Sequence, residues 1–433
     1  MKGIGFALCE QFTICRVTDR LTFSFFTDYI GIIFAALTVI LWIAAGIYSI
    51  DYLKEDRHKK RFFVFFVLLG VSLLLMSFAS NLFTFYLCYE LVTLLSFPLV
   101  LHDGTKESVK AGIKYLIYSF TGAYLALLGF FLLNPCLETL SFAKTADFTG
   151  KLITVTGTKE ELAVFLMILG FGVKAGMWPM HSWLPTAHPV APSPASGILS
   201  GMIVKAGVLG IIRVLFFMGG AEVIRESTLR FVWIALVLIT VLLGSLKAFR
   251  EPVLKKRLAY STVSQAAYIL FGLSMLGPAA YEGAVLQMMA HAFAKCALFL
   301  IAGALIHATG RKNADDFPGI GKKYPLLMSC FILCSLSLIG IPPTGGFVAK
   351  WFLGVGALEA AEVGFATWFG PVVLLISALL TAGYLLPMGV KAFMPGRDEK
   401  DEFADCGSIS LLMQLPILVL TVLSVALGVI AYF

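Results

Sequence analysis

Several ionisable residues stand inside stretches that are otherwise apolar. Glu90 lies in FYLCYELVTLL, Lys174 in FGVKAGM, Lys205 in GMIVKAGVLG, His291 and Lys295 in QMMAHAFAKCALFL, and Lys350 in GGFVAKWFLG. An ammonium at the centre of a membrane span costs roughly 2.5 kcal/mol or more, so each of these lysines needs a reason. A glutamate alone in lipid stays protonated, but opposite a lysine it can ionise, and Lys174 is the natural partner of Glu90. A desolvated amine takes and releases a proton near neutral pH, as a hydrated one does not. His291 and Lys295 are four residues apart and share a helix face. His307 follows about four and a half turns later on the same helix. Imidazole donates and accepts at neutral pH, so a histidine–lysine–histidine line inside a span has the chemistry of a proton relay. The competing reading is structural: an ion pair between helices for Glu90 and Lys174, and hydrogen-bonded core histidines.

Four further candidates rank below these. Lys114 and Lys247 lie near span ends, as does Arg213, and all three read as snorkelling anchors. His181 and His188 flank a turn-rich link and either meet water or cap a broken helix.

The elements that must hold these groups follow from composition. The chain has 433 residues, 59% hydrophobic and 14% charged, with mean hydropathy +0.90. That balance predicts an all-α polytopic membrane protein. Twelve spans are expected, at about 28–50, 61–80, 82–101, 109–133, 161–183, 194–218, 228–249, 257–276, 280–307, 325–361, 367–391 and 409–432. Two are interrupted. The fifth meets Gly176 and Pro179 just after Lys174, and the tenth meets Gly340-Ile341-Pro342-Pro343-Thr344-Gly345-Gly346 just before Lys350. Spans two to six and seven to eleven then form two five-helix units with a break in the fourth helix of each. Five is odd, so the units are inverted, the arrangement by which many transport proteins hold an ion site near the midplane. The expected organisation is an N-terminal segment with the first helix at 1–60, a first repeat at 61–218, a second at 219–393, and a C-terminal helix at 394–433.

The loops of one side carry eighteen Lys and Arg against eight on the other. The richer side is therefore expected to be cytoplasmic, with both termini outward. The net charge of +7 reports orientation, not a nucleic-acid partner. Met1 to Thr27 mixes charges without an apolar core and does not read as a secretory signal. Eight scattered cysteines form no C-x-x-C, and Cys330 and Cys334 read as packing residues on one helix face. No H-E-x-x-H, phosphate loop or haem attachment motif is present. No metal or cofactor is expected in this chain.

These residues carry a resemblance. FGVKAGMWPMHSWLPTAHPVAPSPASGILSGMIVKAGVLGIIR resembles the signature of the antiporter-like, proton-conducting membrane subunits. Respiratory complex I, membrane-bound hydrogenases and the multi-subunit sodium/proton antiporters share that family. KKRLAYSTVSQAAYILFGL, QMMAHAFAKCALFLIAGALIH and SLIGIPPTGGFVAKWFLG are similar to later segments of it, so the match runs from about residue 28 to the C-terminus. The resemblance implies Glu90 and Lys174 as the essential pair, and Lys205 and Lys295 on the central axis. It places His291 and His307 on the relay helix and Lys350 at the second break. It implies protons, with sodium as the other candidate cargo, and membrane and peripheral partner subunits that carry the electrons. Two departures are noted: the family has about fourteen spans, and neither its first two nor the lateral arm of its largest member has a counterpart here. The expected function is a cofactor-free, proton-translocating subunit of a redox-driven complex of the NADH dehydrogenase or hydrogenase type in the cell membrane. The alternatives are a sodium/proton antiporter subunit, a membrane module energising a soluble non-redox enzyme, and a non-conducting scaffold.

Overall fold

The computed structural model describes residues 11–18, 20–137, 139–148, 157–395, 403 and 406–432. The chain opens with a small antiparallel hairpin, β1 (Phe12–Arg16) and β2 (Thr22–Phe25). It is a strand element that the helical reading did not include. Thr22-Phe-Ser-Phe alternates polar and apolar residues, the period of a strand.

Seventeen helices follow among the described residues. The first four are α1 (Tyr29–Tyr52), α2 (Lys59–Ser77), α3 (Leu82–Val100) and α4 (Lys106–Leu133). Three of these start on a side-chain cap. Asp28, Asn81 and Thr105 accept from the N–H groups of Gly31, Thr84 and Ser108, filling donors that the helix start leaves open. The fifth expected span divides into α5 (Thr158–Lys174) and α6 (Leu184–Val190). The sixth is continuous: α7 (Ser193–Ile198), one π-helical segment at Leu199–Ile203, and α8 (Val204–Phe217). Then come α9 (Gly220–Arg225), α10 (Thr228–Arg250), α11 (Leu254–Ser274), α12 (Pro278–Thr309) and α13 (Ile320–Lys323). The tenth span divides into α14 (Pro325–Ile339) and α15 (Gly345–Glu359), and α16 (Ala366–Phe393) and α17 (Leu411–Tyr432) close the chain.

Among the described residues, nine helical segments are long and apolar enough to cross a membrane. Of the other expected spans, α5 is cut short by its break, α11 is rich in Ser, Thr and Gln, and α14 and α15 are halves. The fold is an all-helical polytopic bundle with a small N-terminal hairpin. Its interior is formed by α7, α8, α11 and α12, whose residues are almost all buried. The outer helices keep a lipid-facing side, as at Val64, Val67 and Val71 on α2 and Val372, Leu375 and Leu379 on α16.

Small residues bring the helices that carry lysines close together. A Cβ at Gly122 of α4 would lie 2.6 Å from the Gly170 carbonyl of α5. A Cβ at Gly207 of α8 would lie 2.8 Å from the Ala175 nitrogen, at the end of α5. The α8 backbone therefore passes directly over the first break.

The two breaks differ. In the first, Lys174 is the last residue of the half-helix, and Gly176 follows at φ +81°. The carbonyl of Val173 accepts from the Gly176 N–H at 3.1 Å and from Trp183 Nε1 at 3.0 Å. In the second, α14 ends at Gly340 with φ +91°. Lys350, on the following half-helix, reaches back to the carbonyls of Leu338 and Ile339 at 2.5 and 2.8 Å. A lysine there meets the negative end of the α14 dipole and fills acceptors the break leaves open.

Candidate functional site

The lysine at the first break is fully buried. Its Nζ donates to Thr93 Oγ1 at 2.5 Å and to the Tyr89 carbonyl at 3.4 Å, and lies 4.0 Å from the centre of the Tyr89 ring. Glu90 lies within electrostatic reach of Lys174, with Tyr86 as its side-chain neighbour. The two make no direct ion pair among the described residues, so they act on each other through space and not as a bonded strut between helices. Tyr89 and Thr93 are four apart on the α3 face toward α5, while Glu90 is turned about 100° away. Glu90 is half-buried at the rim and acts on the ammonium through space.

The second group is central. Lys205 donates to the Ser200 carbonyl at 2.6 Å and to His291 Nδ1. Lys295 donates to the Leu258 carbonyl at 3.0 Å. His188 is wholly buried, and its ring stacks on Phe299 at 4.5 Å with both nitrogens unpartnered. Its charged neighbours are Lys255, Lys295 and Lys205. His188, ranked low on sequence grounds, thus faces three ammonium groups at the centre of the bundle.

One stripe of α11 ties these groups together. Leu258 receives Lys295, Thr262 bonds Ser200 at 2.7 Å, Gln265 bonds Gln287 of α12 at 2.9 Å, and the Tyr268 ring lies 4.7 Å from Lys350 Nζ. Positions 258, 262, 265 and 268 fall within about 120° of one helix face. The hydroxyls and amides that make α11 weakly apolar therefore line a path from the central lysines to the second break.

Other expected members stand apart. His307 is exposed at the end of α12, its ring 5.6 Å from that of Tyr52. Sixteen residues of helix carry it about 24 Å from His291, so the line does not include it inside the bundle. Lys114 is half-buried and donates to Thr186 of α6 at 3.1 Å, bracing the link after the first break. Lys247 is exposed, 5.7 Å from the Tyr260 ring. His181 is buried, with Lys247 and Lys114 as charged neighbours.

Three residues assigned to interfaces or loops are buried. Arg213 is not an interfacial anchor: it pairs with Asp28, with Nη2 3.0 Å from Asp28 Oδ1 and 3.1 Å from the Ser77 carbonyl. Phe26, Phe142 and Phe217 surround its guanidinium. Arg230, counted among the loop charges, is buried and donates to the Ser274 and Met275 carbonyls at 3.0 and 2.8 Å. Lys255, also counted with the loops, is buried and donates to the Ala191 carbonyl at 2.8 Å. Hydropathy blurs a span boundary by several residues, so these three were assigned to water. An Asp directly before an apolar run is a recognised helix start and was the available signal for Asp28. The described cysteines are all free; Cys9 lies outside the described residues, as do Lys2, Lys151, Arg397 and Lys400 of the loop charges.

Chemically the arrangement buries several amines and sets imidazole, hydroxyl and amide groups between them. Such a line can pass protons.

A family profile, "NADH:quinone oxidoreductase/Mrp antiporter, TM", matches residues 79–381. The chain is 34% identical over 363 residues to NADH-quinone oxidoreductase subunit N of Desulforudis audaxviator, covering 83% of this chain and 70% of that protein. It is 31% identical to hydrogenase-4 component B of Escherichia coli, covering 82% of this chain and 54% of that one. Against a Na(+)/H(+) antiporter subunit of Bacillus subtilis the identity is 29%, over 84% and 72% of the two chains. In fold it is similar to a chain of the Mrp complex from a Dietzia species, with TM-score 0.80 and 23% identity over 94% of this chain and 81% of that chain. The apolar helices, the paired breaks and this match together place the chain in the NADH:quinone oxidoreductase/Mrp antiporter transmembrane family, as an antiporter-like multi-pass membrane subunit.

Proposed function

We propose that this chain moves protons across the cell membrane as one subunit of a redox-driven complex. The observation that carries this is the line of Lys174, Lys205, His291 and Lys295, all buried, that leads to a half-buried Lys350, with the buried His188 among them. A shift in the charge balance of Glu90 and Lys174, set by a neighbouring subunit, changes how firmly Lys174 holds its proton. Each further ammonium then feels the charge on the one before it. The driving chemistry belongs to partner subunits, and no cofactor is assigned to this chain. The similarity to a quinone oxidoreductase subunit and to a hydrogenase component supports this reading. In the proposed arrangement twelve helices cross, two inverted five-helix units each hold one break, and both termini face outward.

The similarity to the Na(+)/H(+) antiporter subunit supports a second reading, an antiporter component driven by ion gradients alone. Purifying the intact complex separates the two: iron–sulfur subunits favour the first, small membrane subunits alone the second.

The test uses the assembled complex in vesicles. Lys174→Ala and, separately, Glu90→Ala are expected to abolish proton uptake while leaving assembly intact. Normal uptake by either assembled variant would overturn the relay.

A further inference from the structure

The small hairpin at the start of the described chain carries polar chemistry that the buried line does not use. Its strands pair Phe12 with Phe25, Thr13 with Ser24, Cys15 with Phe23 and Arg16 with Thr22. Ile14 is left over as a bulge. Strict alternation would put Thr13 and Arg16 on opposite faces, since they are three residues apart. The extra residue returns Arg16 to the face of Thr13, Thr22 and Ser24, and bulges next to sites re-aim side chains in this way. Phe12, Ile14 and Phe25 line an apolar groove elsewhere, against Val71, Leu75 and Phe78 of α2.

The polar face closes a cavity of about 490 Å³, within the size range of small-molecule sites. Arg16 and Arg20 line it from the hairpin, and Thr139 and Ser141 from the loop after α4. Asn81, the buried cap of α3, lines it as well. Its amide donates to the Thr22 carbonyl at 2.9 Å and to Ser24 Oγ at 2.8 Å. A backbone bridge joins Asn81 to Ser141. Both walls are thus tied to the start of one spanning helix, and the cavity is formed before a ligand arrives.

Both arginines are exposed and can be reached. Neither makes an ion pair among the described residues, and among those residues no carboxylate lines the cavity. The loops at this end of the bundle hold eight Lys and Arg against eighteen at the other. Two arginines on one cavity are therefore not explained by the charge bias that orients a membrane protein.

We propose that this cavity binds a phosphate-bearing anion, held by the guanidinium groups of Arg16 and Arg20. A guanidinium meets two oxygens of an anion side by side. A carboxylate has two oxygens in one plane and suits one such fork. A phosphate spreads its oxygens in three dimensions, so it meets two forks and the flanking hydroxyls together. The cavity leaves room for the organic group that carries the phosphate. The headgroup of an anionic phospholipid and a soluble phosphate share this chemistry.

The purified, assembled complex tests the site with two probes. Inorganic phosphate is titrated against chloride at equal ionic strength, with the thermal midpoint as readout. Retention of phosphatidylglycerol against phosphatidylcholine is read by native mass spectrometry. One or both preferences are expected in the wild type, and both are expected to vanish when Arg16→Gln and Arg20→Gln are combined. Saturable stabilisation by phosphate marks a soluble source, and selective retention of phosphatidylglycerol marks a lipid. No difference between wild type and the double variant with either probe would overturn the proposal. So would equal stabilisation by chloride together with equal retention of the two lipids, which would mark surface charge alone. Should the double variant not assemble, the single variants decide, each expected to weaken binding roughly tenfold. Density for the unaltered complex showing the cavity filled by a partner subunit's chain would also overturn the site. None of these outcomes bears on the transport reading, which stands or falls with Lys174→Ala.

Discussion

Lys174 Nζ rests 2.5 Å from Thr93 Oγ1 and over the face of Tyr89. The cation is thus held by a neutral hydroxyl, a carbonyl and a ring, and the carboxylate that balances it stands one side-chain position away around α3.

Thr93→Val keeps the shape and removes the hydroxyl that accepts from the ammonium. Hydrogen bonds to charged groups contribute about 1.5–3 kcal/mol, so proton uptake is expected to fall several-fold while the complex still assembles. Tyr89→Phe keeps both the ring and the carbonyl. It should have little effect, because the Tyr89 hydroxyl has no partner. Vesicle uptake assays on both variants check the contrast.

The Asp28–Arg213 pair is buried on both sides. Removing one partner leaves an uncompensated charge, which costs about 3–5 kcal/mol. Asp28→Asn and Arg213→Met are each expected to destabilise the protein strongly. Asp28→Leu combined with Arg213→Met is expected to cost much less than the sum of the single changes. Thermal denaturation in detergent, run as a double-mutant cycle, measures the coupling.

Lys350→Met should block transport more than Lys114→Met. Both lysines are half-buried, but Lys350 fills the Leu338 and Ile339 carbonyls that the second break opens, whereas Lys114 braces α6 through Thr186. Equal effects in side-by-side uptake assays would remove the argument that the second break is functional.

Neighbouring lysines give a sharper comparison. Lys255 is buried and bonds the Ala191 carbonyl, while Lys256 is half-buried at the surface and pairs with Glu251 at 2.8 Å. A pair that solvent still reaches contributes about 1 kcal/mol. Lys256→Ala should therefore leave uptake and stability near wild type, and Lys255→Ala should lower both.

Asp56 lies in the loop after α1. Burial pushes its carboxyl up, but the His58 N–H at 2.6 Å and the His102 ring at 3.1 Å outweigh this and hold it below the usual carboxylate range. A depressed folded value means stabilisation that is present above the ordinary carboxylate range and lost as pH falls through the folded value, below about pH 4. Asp56→Asn is expected to flatten that acid limb of a thermal-stability profile by lowering the neutral limb toward the acid one.

The helices were legible because hydropathy and breakers act locally. Apolar runs of span length and the Gly and Pro residues at 176, 179, 340, 342 and 343 lie where the structure has its helices and both interruptions. Boundary residues were the weak point. Lys255, Arg213 and Arg230 stand where a hydropathy window passes from lipid to water, and only their neighbours show that they are buried.

By itself the sequence determined the class of protein, the positions of the helices and the two breaks, and that Lys174, Lys205, His291 and Lys295 would be withdrawn from water. These depend on residue type and near neighbours along the chain, which the sequence contains. Only the tertiary structure decided which groups meet: Thr93 with Lys174, Asp28 with Arg213, His188 among three lysines, and two glutamines between the halves of the line. The hydrogen-bonded pairs among them join residues 22 to 185 positions apart, and the helix rotations that bring them together are set by packing, as at Gly122 and Gly207, not by any pattern within one helix.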